Sequence, residues 1–191
     1  MRRLAHWLAV ALFATTLTAC GSSPTADGSD GTAKNVPGLA DGTPVRVIED
    51  VDEQDVIVPA APQRVVALSE PVLDGALALD VTPVGSVTGR GTEGPPNYLK
   101  DQAEGIELVG TVAQFDFEAI AALKPDLIMT YASGGNTPDA VEVLSQIAPV
   151  YFVGYAGADW KTTFRHVANA LNKSDEAERV LADFDVEAAL L

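Results

Sequence analysis

The segment FDFEAIAALKPDLIM, residues 115–129, predicts a short helix that leads directly into a buried strand. Residues 116–123 form an Ala-rich helical stretch with Glu118 in its first turn, where an acidic side chain is favourable. The strand that follows, residues 126–130, is short and apolar, as is typical of parallel strands that are buried on both faces. A helix followed by such a strand is the repeating unit of parallel α/β folds, so this segment sets the predicted fold class.

The same alternation continues on both sides of this segment. Further strands are predicted at 64–68, 83–87, 107–109 and 150–153, and further helices at 72–79 and 138–147. A predicted hairpin of residues 45–49 and 55–59 precedes them. Two amphipathic helices end the chain, the first behind an Asp159 cap and the second behind a Ser174 cap. The pattern predicts an α/β, Rossmann-like lobe with a mainly parallel sheet over residues 45–173.

The first twenty residues have the layout of an export signal. Arg2 and Arg3 precede an apolar run that is too short to span a membrane comfortably, and small residues then lead to Cys20. Cys20 is the only cysteine of the sequence, so it cannot form an internal disulfide. We therefore expect residues 1–19 to be a lipoprotein signal peptide and Cys20 to carry the lipid that anchors the protein. The alternative is an ordinary secretory signal followed by a chance cysteine.

Composition and charge narrow the partners of the exported chain. Removing Arg2 and Arg3 from the 12 basic residues leaves 10 against 27 acidic residues, a net charge of −17. This excess of acid argues against nucleic-acid binding, which needs clustered positive charge. Residues 20–44 are mostly Gly, Ser, Thr, Asp and Pro, which predicts a flexible tether. We expect an exported protein, held by lipid on the outer face of the cytoplasmic membrane or in the periplasm.

The last helix, residues 174–191, has no sequence signal for its end. It contains no Gly or Pro and no basic last turn, and Leu190 and Leu191 leave apolar surface uncovered. Its apolar stripe consists of Ala177, Val180, Leu181 and Phe184. We therefore expect the natural protein to continue beyond residue 191.

The sequence gives little support for catalysis or for a metal bound directly by protein side chains. Beyond residue 19 the one histidine is His166, which is predicted to lie on the solvent face of its helix. A single histidine is too few for a zinc or manganese site, and no serine lies in a G-x-S-x-G context. The segment GRGTEG, residues 89–94, lacks the lysine and the following helix of a phosphate-binding loop, so we expect a flexible loop. These features predict a binding protein without a resident cofactor.

Polar and aromatic residues are concentrated just beyond the carboxyl ends of the predicted strands. Ligands of parallel α/β sheets bind at this edge, and aromatic side chains suit a bulky, partly apolar ligand. The predicted ligand-binding residues are Ser69, Glu70, Arg90, Tyr98, Gln114, Phe115, Tyr131, Ser133, Tyr155 and Trp160. For Trp160 the alternative role is packing at the start of a helix. Glu118 belongs to the same edge because its helix starts there.

Three segments resemble the amino-terminal lobe of iron-siderophore ABC-transporter substrate-binding proteins, a group that includes the binding proteins for cobalamin and haem. The segments are PQRVVALSEPVLDGALALDVTPVG, VGTVAQFDFEAIAALKPDLIM and LSQIAPVYFVGYAGADWKTTFRHVANALNKSDEAERVLADFD. The resemblance runs from residue 45 to the end, and its middle segment is the most specific. It implies two α/β lobes joined by one long helix, with the ligand between them. Residues 174–191 resemble the start of that helix, and the second lobe is missing.

The resemblance also implies partners and residue roles. The Glu that corresponds to Glu118 docks onto Arg residues of the membrane permease, and the expected ligand is a ferric siderophore. Some ferric-hydroxamate binders of this group place an Arg in the region where this sequence has Val112, which leaves Arg90 as the one Arg of the predicted site. A tris-catecholate complex is strongly anionic, so we expect a ferric hydroxamate or another less charged chelate. The alternatives are cobalamin or haem binding, a surface enzyme whose catalytic half is missing, and a fragment without function.

Overall fold

The computed structural model describes residues 31–132 and 135–190. The predicted signal peptide, Cys20 and Ser133 lie outside these residues. The described strands are β1 Gly31–Thr32, β2 Pro44–Glu49, β3 Asp55–Pro59, β4 Val65–Ala67, β5 Gly85–Ser86, β6 Glu107–Leu108, β7 Gly110–Thr111, β8 Gln114–Phe115, β9 Leu127–Ala132 and β10 Val150–Tyr155. The described helices are α1 Glu70–Ala78, α2 Phe117–Ala122, α3 Pro138–Ile147, α4 Trp160–Ala170 and α5 Ser174–Ala188, with a 3₁₀ turn at Asn97–Leu99.

Five strands form the central sheet in the order β10-β9-β4-β5-β6, and every pairing between them is parallel. Val66 of β4 lies opposite Ile128 of β9 on one side and Gly85 of β5 on the other. The predicted α/β fold with a mainly parallel sheet is therefore confirmed. The predicted β2–β3 hairpin is also present. The antiparallel β7–β8 pair was not predicted, because two-residue strands leave no periodic pattern in the sequence.

Helices cover both faces of the central sheet. On one face, Leu73 of α1 and Val167 of α4 belong to the same buried cluster as Tyr151 of β10. On the other face, Ile120 of α2 and Leu144 of α3 share a second buried cluster. Complete burial of such side chains stabilises a fold by about 1.5–3 kcal/mol each. The two clusters therefore fix the positions of the strand ends, on which the candidate site is built.

Residues 31–43, which we call the arm, lie against the lobe and not in the flexible tether that the composition predicts for 20–44. β1 pairs antiparallel with β2, and Ala33 is buried. A Cβ atom on Gly38 would lie 2.8 Å from the Cβ of Ala148, so the arm passes very close to the start of β10. Small residues suggest a linker because they bury little surface, yet only glycine allows this close approach at a backbone φ of +75°.

The last two helices form an antiparallel pair at the surface. Arg165 Nε of α4 lies 2.6 Å from Glu178 Oε1 of α5, and Lys161 forms an ion pair with Asp185. The described parts of the chain contain no helix that is both long enough and apolar enough to cross a membrane.

The caps of these two helices follow the sequence only in part. Asp159 caps α4 as predicted, since its Oδ2 accepts a hydrogen bond from Thr162 N at 2.9 Å. The Thr162 hydroxyl donates to the same oxygen at 3.0 Å, and the two hydrogen bonds lower the pKa of Asp159. The predicted Ser174 cap of α5 is wrong: Lys173 occupies the cap position, and Ser174 is already the first helical residue.

Candidate functional site

The carboxyl ends of the parallel strands share one edge of the sheet, which we call the rim. A cavity of about 320 Å³, the rim cavity, opens at this edge. It is lined by Ser69, Glu70, Pro71, Thr88, Arg90, Val112, Tyr131, Ala132 and Ala156. The fold thus brings together four residues of the predicted site from three separate segments of the sequence: Ser69, Glu70, Arg90 and Tyr131.

Ser69 and Tyr131 come to the rim cavity from neighbouring strands. Ser69 lies between β4 and α1, is 2% exposed, and its Oγ has no hydrogen-bond partner within the described residues. An unpaired buried hydroxyl costs about 1–3 kcal/mol, a cost that a ligand bonded to Ser69 Oγ would remove. Tyr131, near the end of β9, donates its hydroxyl to the backbone oxygen of Tyr155, which fixes its ring beside the cavity.

Glu70 holds the backbone of the loop that carries Arg90. Its Oε1 accepts a hydrogen bond from Arg90 N at 2.6 Å, and its place at the first position of α1 suits a negative charge. The guanidinium of Arg90 forms no ion pair with the described residues. Glu70 is therefore engaged in positioning the loop, and the Arg90 side chain is left available for an anionic ligand.

The Gly-rich loop around Arg90 is closed by its own hydrogen bonds. Gly89 N donates to Gly94 O at 2.8 Å, and the Thr92 hydroxyl contacts the carbonyl oxygens of both glycines. Leu99, at the end of the following 3₁₀ turn, is buried in the larger core cluster. The composition predicted a flexible loop because it does not show these internal bonds.

Tyr98 lies outside the rim cavity and bonds to α1. Its hydroxyl donates to Asp74 Oδ2 at 2.9 Å, although its side chain is 67% exposed. Asp74 is one helical turn after Glu70, so one face of α1 holds both Arg90 and Tyr98. Burial raises the pKa of Asp74, the hydrogen bond from Tyr98 opposes this rise, and the charge of Glu70 adds to it. Burial and the bond to Asp74 also raise the pKa of Tyr98.

A second cavity of about 340 Å³, the side cavity, adjoins the rim cavity between α1, α4 and α5. It is lined by Pro71, Asp74, Gly75, Ala78, Tyr131, Ala158, Trp160, Thr163, Phe164 and Val180. Pro71 and Tyr131 line both cavities. Trp160 also meets the ring of Phe184 edge-on, with 4.9 Å between the ring centres. Trp160 therefore packs against α5, as the alternative interpretation holds, and lines a cavity as well.

Gln114 and Phe115 lie in a separate groove beside Glu118. The groove is lined by Gly110, Thr111, Gln114, Phe115, Asp116, Phe117 and Glu118. Phe115 is 7% exposed and belongs to the core, which limits its contact with any ligand. The carboxylate of Asp116 caps α2 by accepting from Ala119 N at 3.0 Å. Glu118 is exposed and is not needed as the cap, so its carboxylate is available to a partner.

Two residues of the predicted site remain, and the structure adds three cavity residues that the sequence analysis missed. Tyr155 lines neither cavity, and Ser133 lies outside the described residues. Asp74, Thr163 and Phe164 line the side cavity but were not predicted to do so. The spacing of four residues between Glu70 and Asp74 was the available signal for Asp74, because it places both carboxylates on one helix face.

The described residues contain no group of three or more His, Cys, Asp and Glu side chains that could hold a metal ion. The prediction that His166 faces solvent is wrong, since its Nδ1 lies 3.1 Å from the Tyr151 hydroxyl. That hydroxyl has one proton, which it donates to Glu49 O at 2.8 Å. It therefore accepts from His166, whose Nδ1 carries the proton of the Tyr151–His166 hydrogen bond. Burial raises the pKa of Tyr151 to about 12. Helical spacing alone did not show that Tyr151 of β10 lies beside this helix face.

Comparison with known families decides the identity of this fold. A sequence model of the periplasmic binding proteins matches residues 65–191. The chain belongs to this family. The probable siderophore-binding lipoprotein YfiY of Bacillus subtilis is 34% identical over 180 residues, which cover 88% of this chain and 49% of YfiY. The Fe(3+)-citrate-binding protein YfmC of the same species is 31% identical over 170 residues, which cover 87% of this chain and 50% of YfmC. This periplasmic binding protein chain thus spans about half the length of the curated relatives it matches.

Solved structures show the same family likeness. Staphylococcus aureus SirA complexed with staphyloferrin B aligns with a TM-score of 0.66 at 29% identity, over 75% of this chain and 48% of SirA. The petrobactin-binding protein YclQ of Bacillus subtilis aligns with a TM-score of 0.62 at 25% identity, over 76% of this chain and 51% of YclQ. The resemblance to siderophore-binding proteins that the sequence suggests is therefore confirmed.

Proposed function

We propose that this periplasmic binding protein is the extracytoplasmic substrate-binding component of an ABC importer for a ferric siderophore. The observation that carries the proposal is the rim cavity, which Arg90 lines together with Tyr131 and with Ser69, whose buried hydroxyl has no hydrogen-bond partner within the described residues. In this role the protein captures the chelate, delivers it to a membrane permease, and does not catalyse a reaction. The names of YfiY and YfmC support an iron chelate over cobalamin or haem.

The charges at the rim cavity favour a chelate of modest negative charge. Arg90 is the cation that lines this cavity within the described residues, and Glu70 places an acid beside it. A strongly anionic tris-catecholate complex would meet too little positive charge here. A ferric hydroxamate or another less charged chelate is better matched.

The mature protein is anchored outside the cytoplasmic membrane through lipid on Cys20. The export-type layout of residues 1–20 supports this location, as does the lipoprotein name of YfiY. The permease partner meets the rim edge of the lobe, where the exposed Glu118 offers an unused carboxylate to its basic residues.

A titration of the natural full-length protein tests the proposed ligand class. The ligands are ferrioxamine B (a ferric trihydroxamate), ferric citrate, a ferric tris-catecholate, cyanocobalamin and haemin, with tryptophan fluorescence as the readout. We expect saturable binding of a ferric chelate, with the hydroxamate complex bound more tightly than the catecholate. Binding of cyanocobalamin or haemin without binding of any ferric chelate would overturn the proposal.

Replacement of Arg90 tests the cavity itself. Hydrogen bonds to a charged group contribute about 1.5–3 kcal/mol, so Arg90→Ala should weaken binding of an anionic ferric chelate roughly tenfold or more. Arg64→Ala is the matched control, because Arg64 donates to the backbone oxygens of Leu123 and Lys124 at the amino end of the sheet. Equal losses in the two variants would show that Arg90 acts through stability rather than through the ligand.

A further inference from the structure

We propose that the side cavity binds an organic ammonium group, carried on the arm of a ligand whose iron centre occupies the rim cavity. The location of the iron centre rests on the proposed function. The preference of the side cavity for a cation rests on the residues that line it, and a test without iron examines it independently.

The walls of the side cavity are suited to an organic cation. Three aromatic side chains, Tyr131, Trp160 and Phe164, line it together with small apolar groups. Aromatic faces attract ammonium groups, most strongly when the site is shielded from water, and tryptophan is the best of them. An alkylammonium arm would place methylene groups against the apolar wall and its charge near the rings.

The charge in the side cavity is negative and lacks a counter-ion. Asp74 lines the cavity, and no Lys or Arg of the described residues forms an ion pair with it. Burial raises the pKa of Asp74, the hydrogen bond from Tyr98 opposes this rise, and the nearby charge of Glu70 adds to it, so the net direction is one that a neighbouring cation would reverse. A bound ammonium group would be such a cation.

Lys161 is a cation close to Trp160, and it is held by α5. Its Nζ lies 5.7 Å from the centre of the Trp160 ring and 5.4 Å from that of Phe184. Neither Lys161 nor Phe184 lines the side cavity, and Lys161 forms an ion pair with Asp185. Trp160 therefore has an occupied side toward α5 and an open side toward the cavity.

The two cavities can be filled by one ligand of mixed charge. Pro71 and Tyr131 line both cavities, so the two lie side by side and one extended ligand can reach both. Arg90 lines the rim cavity and Asp74 lines the side cavity. This polarity fits a chelate whose electron-rich iron-bound oxygens face Arg90 and whose arm carries a positive charge.

A matched pair of ferric chelates provides the test on the natural full-length protein. Ferrioxamine B carries one terminal ammonium group, and its N-acetyl derivative has the same iron centre without that charge. We expect the ammonium form to bind about tenfold more tightly, as a partly shielded cation–π and carboxylate contact allows. Equal affinities for the two chelates would overturn the inference and leave the proposed function standing.

Single replacements assign the effect to the side cavity. Asp74→Asn keeps an oxygen that can accept from Tyr98 but removes the charge, and should bring the affinity ratio of the two chelates close to one. Asp80→Asn is the control, since Asp80 is exposed beyond the end of α1 and its φ of +57° is one that Asn adopts readily. It removes the same charge and should leave the ratio unchanged. A ratio that falls equally in both variants would point to net charge and against the side cavity.

A test without iron separates this inference from the proposed function. n-Pentylammonium chloride is titrated into the labelled protein while the indole N–H resonance of Trp160 is followed by NMR, with n-pentanol as the neutral control. A saturable shift with the ammonium ion that is weaker in Asp74→Asn is the expected result, whether or not either ferric chelate binds. No shift, or the same shift with n-pentanol, would overturn the inference.

Discussion

Glu70 holds the loop that carries Arg90, a role that single replacements can test. Its Oε1 accepts the backbone N–H of Arg90 at 2.6 Å, and a glutamine side chain can accept the same bond. We expect Glu70→Gln to retain slow hydrogen exchange at the Arg90 amide. Glu70→Ala should speed that exchange roughly tenfold or more, because a hydrogen bond to a charged group is lost. Amide exchange read by NMR provides the measurement.

The glutamine variant also separates positioning from direct ligand contact. If Glu70 positions the loop, Glu70→Gln should bind an anionic ferric chelate at least as tightly as the parent, since one negative charge has left the cavity. If Glu70→Gln weakens binding as much as Glu70→Ala, the carboxylate acts through its charge, and the positioning role is wrong.

Asp74 should make the stability of the lobe depend on pH. A carboxyl whose pKa is raised by folding binds its proton more tightly in the folded state, so the free energy of unfolding falls as pH rises through its titration. Asp74→Asn removes this dependence. We expect the variant to be more stable than the parent at neutral pH and to lose this advantage below the ordinary pKa of aspartate. Urea unfolding of parent and variant, at neutral pH and at a pH below the ordinary pKa of aspartate, measures the difference. A variant that is less stable than the parent at neutral pH would contradict the prediction.

The sequence could place single residues at the rim but could not assign their contacts. Ser69, Arg90 and Tyr131 were predictable because the carboxyl ends of parallel strands share one edge. The bond from Tyr98 to Asp74 joins residues 24 positions apart, and its formation depends on how the intervening loop folds. Helical spacing likewise cannot show that Phe164, a core side chain, also lines the side cavity.

At the scale of elements, the arm behaves as part of the lobe, and two glycines can test this. Gly38 and Gly42 have φ values of +75° and +89°, so replacement by alanine strains the backbone at both. A Cβ at Gly38 would also lie 2.8 Å from Ala148 Cβ, whereas Gly42 has nothing within 4 Å. We expect Gly38→Ala to lower the free energy of unfolding by about 1–3 kcal/mol more than Gly42→Ala. Equal effects in thermal or urea unfolding would mean that the arm is not packed in solution.

The elements themselves were more predictable than their packing partners. The helices α1 to α4 and the central strands β4, β9 and β10 follow from runs of apolar residues with a helix or strand pattern. The arm, the β7–β8 pair and the Lys173 cap were missed because each depends on backbone contacts rather than on side-chain period. The short segments around the site therefore carry the least sequence signal, although they position the loop with Arg90 and the groove with Glu118.

At the scale of the whole molecule, the proposed ligand site and the proposed docking site share one pole of the lobe. The rim cavity and the start of α2, with Glu118, both lie beyond the carboxyl ends of the strands. The arm contacts Pro125 and Ala148, just before β9 and β10, and so lies at the opposite pole. A permease that binds Glu118 would therefore face the opening of the rim cavity, through which the chelate must leave.

This arrangement predicts that Glu118→Ala separates transport from binding. The affinity for the ferric chelate should stay unchanged, because Glu118 lies in a groove apart from the rim cavity. Uptake of radiolabelled iron by cells should fall, by up to about fivefold, since one exposed ion pair contributes about 0–1 kcal/mol. Glu104→Ala is the control: Glu104 is exposed and precedes β6, at the amino edge of the sheet, so its loss should spare uptake. Loss of chelate affinity in Glu118→Ala, or equal loss of uptake in both variants, would show that Glu118 is not a docking residue.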